Sequence, residues 1–160
     1  MKKLILLLIT GFLLSCQQDI NRTVYLVRHA EKDLTDKTDN PPLTQVGVQR
    51  ALSLVDVLKE EEIAAIYSTP LQRTTQTVYP LSDFKKVKIE FYEWDDYNGL
   101  KKRIKNLKTQ GAVVICGHGN NLLPMIKTLG SEPPLDSLGH EEYDKIFKVK
   151  EGETEIIIYE

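Results

Sequence analysis

Short apolar runs recur along the chain, and each is followed by polar or turn-forming residues. They occupy residues 23–27, 63–67, 87–92, 112–116, 146–149 and 155–159. Runs of this length, rich in β-branched and aromatic side chains, are typical of buried strands. The last two runs flank Glu151 and Gly152, which predicts a hairpin at the edge of the sheet.

Between these runs, apolar residues recur with the spacing of helices. Thr44 is a plausible N-cap for a first helix, whose predicted apolar face is Val48, Ala51, Leu52, Val55 and Leu58. Further helices are expected from residue 71 to about 79, around Leu100 and Ile104, and from Leu122 onward. Strands that alternate with helices predict an α/β fold, a three-layer α/β/α sandwich with a mostly parallel central sheet and helices on both faces.

The first fifteen residues differ from the rest of the chain. Two lysines follow Met1, and residues 4–14 are apolar apart from Thr10 and Gly11. This stretch is too short to cross a bilayer as a mature helix, and it fits the apolar region of a signal peptide. The segment ends in LLSC at residues 13–16, which resembles a bacterial lipobox. An ordinary signal peptide with a chance cysteine is the alternative.

We therefore expect a signal peptide over residues 1–15, lipidation at Cys16, a tether over 16–22 and one domain over 23–160. The acyl chains would hold the domain on a membrane of the bacterial cell envelope, facing the periplasm or the cell exterior. The other cysteine, Cys116, ends an apolar run, so we expect a small buried side chain rather than a nucleophile.

Length and charge narrow the class of protein further. A chain of 160 residues with 41% hydrophobic content is enough for one domain with a real core. Lys plus Arg number 21 and Asp plus Glu number 23, and this near balance gives no reason to expect a nucleic-acid partner. We expect a monomer.

Cationic and nucleophilic side chains follow three of the predicted strands. Arg28 and His29 come directly after the first, Arg73 follows the second, and His118 follows the fourth. A lone histidine in such a place is often structural. Because open α/β sheets bind ligands at the carboxyl ends of their strands, the four together predict an anion pocket with a possible nucleophile. The helix start after His118, which includes Gly119, offers backbone N–H groups to the same anion.

Other charged residues look like solvated surface. His140 lies in polar sequence, and we expect it to be exposed. The helix around Leu100 has a basic face formed by Lys101, Lys102, Arg103, Lys105 and Lys108. A solvated face is the simpler interpretation, and contact with anionic lipid is the alternative.

Four blocks of sequence resemble the histidine phosphatase superfamily, whose fold is that of phosphoglycerate mutase. They are VYLVRHAE at 24–31, LT with Gly47 and Arg50-Ala51, YSTPLQRTTQT at 67–77, and ICGHGN at 115–120. The blocks occur in the order of the family and span most of the chain. The compact length is most similar to the small branch near the phosphohistidine phosphatases.

The resemblance implies a metal-independent phosphatase that needs no cofactor. It makes His29 the nucleophile that forms a phosphohistidine, and it makes His118 a donor to the phosphoryl group. Arg28 and Arg73 can each bind a phosphate dianion with two hydrogen bonds. The expected substrate is a phosphate monoester or phosphoramidate, carried on a small molecule or a glycan.

The general acid is where the chain departs from the larger members of the family. They place a glutamate between the third and fourth blocks, and this chain offers Glu90, Glu93, Asp95 and Asp96 there without a motif to choose between them. A weak acid would favour substrates with good leaving groups. A catalytically silent phosphate-binding lipoprotein is the alternative function, and a mutase fits an extracytoplasmic location less well.

Overall fold

A computed structural model of the protein describes residues 20–160, so the expected signal peptide and Cys16 lie outside the described residues. The elements in chain order are β1 (Val24–Arg28), α1 (Gln45–Leu58), β2 (Ile63–Ser68), α2 (Gln72–Lys85), β3 (Ile89–Phe91), α3 (Tyr97–Asn106), β4 (Ala112–Gly117), α4 (Leu122–Leu129), β5 (Lys145–Lys150) and β6 (Glu153–Ile158).

The six strands form one mixed sheet in the order β3-β2-β4-β1-β5-β6. Strands β1 to β4 run parallel, and β5 and β6 are antiparallel additions at one edge. The hairpin turns at Glu151 and Gly152, both with positive φ, as the sequence predicts. The order puts β2, β4 and β1 side by side in the middle of the sheet. The segments that follow these parallel strands therefore meet at their carboxyl ends.

Helices cover both faces of the sheet, which confirms the predicted three-layer α/β/α arrangement. Alternate residues of β1 point to opposite faces: Leu26 packs with the side chains of α3 and α4, and Val27 packs with those of α1 and α2. Because β1 and β4 are buried on both sides, nearly every residue in them is apolar.

Two details of the helices differ from the predictions. The buried face of α1 consists of Gly47, Ala51, Leu54 and Leu58, whereas Val48 and Leu52 are nearly half exposed. The predicted apolar face was therefore rotated by part of a turn. Helix α2 continues through Pro80 to Lys85 instead of ending near residue 79. The buried side chains of Val78 and Leu81 pack beneath the sheet and offset the missing proline hydrogen bond.

The start of α1 is fixed against the segment after β1. Thr44 is the N-cap, and its hydroxyl accepts a hydrogen bond from the Gly47 amide. A Cβ at Gly47 would lie 2.4 Å from the carbonyl oxygen of Glu31, so close packing explains the glycine. Arg50 then binds the Glu31 carboxylate with its Nε and Nη2. The block of residues 43–51 therefore holds the block of residues 24–31 in position.

The chain enters the domain near the amino ends of β1 and β4. Ile20 is buried in the core, and the Arg22 guanidinium donates to the carbonyl oxygens of Leu107, Thr109 and Gly111. Residues 20–22, which we assigned to the tether, thus pack on the domain. In residues 20–160 no helix combines the length and the apolar character needed to cross a membrane.

Candidate active site

A cavity of about 900 Å³ opens where β1, β2 and β4 end. The four side chains that the sequence places after the strands, those of Arg28, His29, Arg73 and His118, all line it. They come from three separate segments, which the parallel sheet brings together at the carboxyl ends of its central strands. The predicted anion pocket therefore has a physical counterpart in the fold.

Arg28 is held by the loop between α4 and β5. Its Nη1 donates to the carbonyl oxygen of Gly139 at 2.7 Å, and its guanidinium lies over the Tyr143 ring, 4.4 Å from the centroid. Its Nε is buried and has no hydrogen-bond partner in residues 20–160. One edge of the guanidinium thus anchors the side chain, and Nε is left for another acceptor.

Arg73 is the second residue of α2, so the helix start directs it back over the end of β2. Its Nε and Nη1 are both buried without a partner in the described chain. Burial lowers the pKa of Arg73, although a guanidinium remains charged at neutral pH. Buried donors are normally paired, so unpaired donors on two arginines in one cavity indicate a site for an anion.

His29 is a nearly buried histidine, only 4% exposed. Its Nδ1 lies 2.8 Å from the carbonyl oxygen of Ala30, and a carbonyl can only accept, so Nδ1 carries the proton. In the neutral ring, Nε2 then keeps its lone pair, and Nε2 has no hydrogen-bond partner within residues 20–160. Burial lowers the pKa of His29 to about 3, and the charges of His118, Arg28 and Arg73 act in the same direction. His29 is therefore neutral at physiological pH.

His118 lies beside His29, with 5.4 Å between the ring centroids. Its Nε2 is 2.9 Å from the hydroxyl oxygen of Thr69, which is itself 3.0 Å from the Thr74 hydroxyl. Burial, followed by the charges of Arg73 and Arg28, lowers the pKa of His118 to about 4. Its backbone N–H donates to Oδ1 of Asn121, which fixes the turn after β4.

Gly119 lies against the Arg28 guanidinium, since a Cβ there would be 3.5 Å from Arg28 Cζ. Some backbone N–H groups of the same turn are already paired within the turn. The amides of Asn121 and Leu122 both donate to the His118 carbonyl oxygen, so those two N–H groups are not free for the anion that the sequence predicts at this helix start.

The four candidate general acids occupy different surroundings. Glu93 lines the cavity. Glu90 is paired with Arg103 at 2.5 Å, and Asp96 caps α3 by accepting from the Gly99 amide. Asp95 is exposed and is not among the residues that line the cavity. The fold thus brings one of the four carboxyl groups, that of Glu93, to the cavity that holds the cationic cluster.

The remaining expectations concern Cys116 and His140. Cys116 is fully buried, and burial raises the pKa of its thiol, which suits a packing side chain. His140 is exposed, as expected, and it lies at the mouth of the cavity. Within residues 20–160 no three His, Cys, Asp or Glu side chains are grouped closely enough to hold a metal ion.

Three residues of the site escape sequence reasoning. Thr69 contacts His118 from 49 positions away, Tyr143 stacks on Arg28 from a distant loop, and Asn121 joins the His118 amide to the Trp94 carbonyl. Thr69 and Asn121 lie inside the third and fourth blocks or next to them, which is the one signal that could have found them. Nothing in the sequence around Tyr143 indicates its contact.

Comparisons with known proteins match part of the sequence and the fold. Residues 24–96 match the model of the histidine phosphatase superfamily (branch 1), and a sequence search of curated proteins returns no match. Among similar solved structures is a mycobacterial glucosyl-3-phosphoglycerate phosphatase complexed with VO3, with a TM-score of 0.66, 12% identity, and coverage of 86% of this chain and 98% of that one.

Two further structures have similar values. The Agrobacterium tumefaciens protein proposed to be the phosphohistidine phosphatase SixA has a TM-score of 0.59 at 16% identity, over 88% of this chain and 97% of its own. A phosphoserine phosphatase from Entamoeba histolytica has a TM-score of 0.60 at 17% identity, over 86% and 96%. Such identities show the shared fold. The sequence match to the histidine phosphatase superfamily spans residues 24–96, a range that contains Arg28, His29 and Arg73.

Proposed function

We propose that the protein is a metal-independent phosphatase that hydrolyses a phosphate monoester or phosphoramidate through a phosphohistidine on His29. The observation that carries this proposal is the pairing of a neutral, oriented histidine with buried, unpaired guanidinium donors of Arg28 and Arg73. The cations attract a phosphate dianion, and the free Nε2 gives the nucleophile that attacks it.

In the first step the substrate phosphate binds between Arg28 and Arg73. The lone pair of His29 Nε2 attacks phosphorus, and the bond from phosphorus to the leaving oxygen or nitrogen breaks. The leaving atom takes a proton from an acid or from water. Positive charge then spreads over the phosphorylated ring, and the Ala30 carbonyl oxygen stabilises the N–H at Nδ1.

In the second step water attacks the same phosphorus. The phosphorus–nitrogen bond breaks, which regenerates neutral His29 and releases inorganic phosphate. His118 lies close enough to act on the phosphoryl oxygens in both steps, since its ring is 5.4 Å from that of His29. Its interaction with the Thr69 hydroxyl holds the ring in position. A dianion beside it would favour the protonated ring and raise its pKa.

Glu93 is the best placed of the candidate acids, because it lines the cavity while Glu90 and Asp96 are engaged elsewhere. It would protonate an alcohol leaving group. A phosphoramidate such as phosphohistidine releases imidazole, which needs less protonation than an alkoxide, so substrates of both kinds stay within the proposal. The four cationic and nucleophilic residues are all present and grouped, which favours turnover over silent phosphate binding.

The decisive experiment uses purified residues 17–160 with p-nitrophenyl phosphate in EDTA. We expect steady hydrolysis. When a reaction with a monoester labelled in its phosphoryl group is quenched during turnover, the enzyme should carry a label that is acid-labile and alkali-stable, as for a phosphoramidate. His29→Ala should abolish label and turnover, whereas His140→Gln, a change at the exposed cavity mouth, should retain both. Label that persists on His29→Ala, or activity that needs added Mg²⁺, would contradict the mechanism.

We also propose that Cys16 is lipidated and that the enzyme works on the cell envelope, outside the cytoplasm. The contacts of Ile20 and Arg22 support a particular orientation of such an anchor. They place the entry of the chain near the amino ends of β1 and β4, and the active site lies at the carboxyl ends. An anchored domain would therefore turn its cavity away from the membrane that holds it, which favours a substrate free in solution.

A further inference from the structure

The cavity has an inner part and an outer part of different chemistry. The inner part holds the two arginines and the buried His29. The outer part is formed by the loops that follow β3 and α4 and by the start of α4. Its residues are Glu93, Trp94, Leu123, Pro124, Asp136 and Leu138, of which Leu123 is buried. A cavity of about 900 Å³ is near the top of the range for small-molecule sites. Most of it therefore remains for the group that the phosphate is attached to.

The apolar wall of the outer part includes a large flat ring. Trp94 is 50% exposed, and its backbone carbonyl accepts a hydrogen bond from the Asn121 side chain at 2.9 Å. Asn121 is itself buried and also holds the His118 amide. The indole is thus carried on a loop tied to the catalytic turn, and its exposed face can stack on a ring of the bound ligand.

The charged residues of the outer part are both acidic. Glu93 and Asp136 line it, and no lysine, and no arginine besides Arg28 and Arg73, lines the cavity in the described part of the chain. A second anionic group on the ligand would find no lysine or further arginine there and would lie in the same part of the cavity as the Asp136 carboxylate. Like charges repel, so the outer part disfavours leaving groups that carry a carboxylate or a further phosphate.

We infer that the outer part selects phosphate esters of an uncharged, ring-bearing alcohol, with the ring against Trp94. The inference rests on the proposed phosphatase function and adds the class of leaving group to it. Phenols and sugars share this chemistry. They differ in polarity, and both can stack on an indole.

The test compares phenyl phosphate with 4-carboxyphenyl phosphate, which keep the ring and differ by one charge. We expect kcat/KM to be about tenfold higher for phenyl phosphate, although the carboxyphenyl ester has the better leaving group. Asp136→Asn should lower that ratio severalfold, whereas Asp56→Asn, the same change on the exposed surface of α1, should leave it unaltered.

A second arm tests the ring. Trp94→Ala should lower kcat/KM about three- to tenfold for phenyl phosphate and glucose 6-phosphate, with a smaller effect on glycerol 3-phosphate, which has no ring. A loss restricted to phenyl phosphate would assign the site to aryl esters, and a loss restricted to the sugar would assign it to glycan esters. Equal losses on all three substrates, or none, would overturn the assignment of Trp94.

Binding separates this inference from the proposed function. Calorimetric titration of His29→Ala with the two phenyl esters measures recognition without turnover. Tighter binding of phenyl phosphate would support the inference even if the wild-type protein hydrolysed nothing, in which case the phosphatase proposal alone fails. Equal or tighter binding of the carboxyphenyl ester would overturn the inference, whatever the activity.

Discussion

The imidazole Nδ1 of His29 lies 2.8 Å from the carbonyl oxygen of Ala30, the next residue in the chain. This contact assigns the proton of the neutral ring to Nδ1 and leaves the lone pair on Nε2. The orientation of the proposed nucleophile is therefore set by the backbone of its own segment. The Ala30 amide is held in turn by the hydroxyl of Thr77 on α2 at 2.9 Å.

The first prediction concerns the protonation of His29. Nitrogen-15 NMR of the free enzyme should show a neutral ring protonated at Nδ1, with no titration between pH 5 and 8, because burial lowers its pKa to about 3. In urea the same signals should titrate near the ordinary histidine value of about 6.5. A folded-state midpoint near that value, or a proton on Nε2, would contradict the assigned tautomer.

The second prediction concerns stability and pH. Both His29 and His118 have pKa values below those of the unfolded chain, so the unfolded state binds more protons in mildly acidic solution. The free energy of unfolding should therefore fall as the pH decreases from about 6.5, by up to about 1.4 kcal/mol per pH unit for each histidine.

Urea unfolding between pH 5 and 7.5 measures this slope. His29→Gln should be less sensitive to acid than the wild type, and since the carboxyl groups are the same in both proteins, the difference isolates the histidine. Equal slopes for the two proteins would show that His29 titrates normally in the fold.

The third prediction opposes binding and stability at Arg73. Arg73→Met removes buried donors that have no partner in residues 20–160, so the free energy of unfolding should rise by about 1 kcal/mol. Vanadate binding and kcat/KM should fall by a factor that corresponds to about 2–4 kcal/mol. Chemical unfolding and vanadate titration give the two numbers.

Arg22, near the amino ends of β1 and β4, offers a matched control. The Arg22 guanidinium donates to three backbone carbonyls, so Arg22→Met should destabilise the fold and leave vanadate affinity unchanged. If Arg73→Met instead destabilised the protein as Arg22→Met does, its guanidinium would have a structural partner.

The fourth prediction identifies the general acid. Glu93→Gln should slow hydrolysis of an alkyl phosphate much more than that of p-nitrophenyl phosphate, because a poor leaving group needs the proton more. Glu90→Gln, which breaks the pair with Arg103, serves as the control and should affect both substrates alike. Equal effects of Glu93→Gln on both substrates would remove Glu93 from this step.

The fifth prediction tests the anchor. Full-length protein expressed with labelled palmitate should carry the label and fractionate with membranes, and Cys16→Ser should do neither. Cys116→Ser is the matched control, since that thiol is buried in the core and should not affect labelling. Label on both cysteine variants, or a soluble wild-type protein, would exclude lipidation at Cys16.

Much of the site follows from short stretches of sequence. Arg28 and His29 directly follow an apolar strand, and His118 follows another, so their arrival at one edge of a parallel sheet could be predicted from the alternation of strands and helices. The place of Arg73 could be predicted in the same way, because it lies in the first turn of the helix that follows β2. Such predictions succeed because neighbours in the chain share one element.

Helix details were harder to predict for the opposite reason. The buried face of α1 depends on how the helix rotates against α2 and the sheet, so Leu54 is buried while Val48 and Leu52 are half exposed. The length of α2 depends on the burial of Val78 and Leu81 on both sides of Pro80. The spacing of apolar residues predicted a face of α1 that shares Ala51 and Leu58 with the buried one, and tertiary packing decided the rest of that face and the end of α2.

The sequence by itself determined the fold class, the four residues around the proposed phosphate site and the family that they resemble. Only the tertiary structure decided which of four neighbouring carboxyl groups faces the cavity, and that Thr69 and Tyr143 support His118 and Arg28. The physical reason is range. A strand followed by a helix places its own residues, whereas contacts across 49 positions or more exist only once the sheet has brought separate segments together.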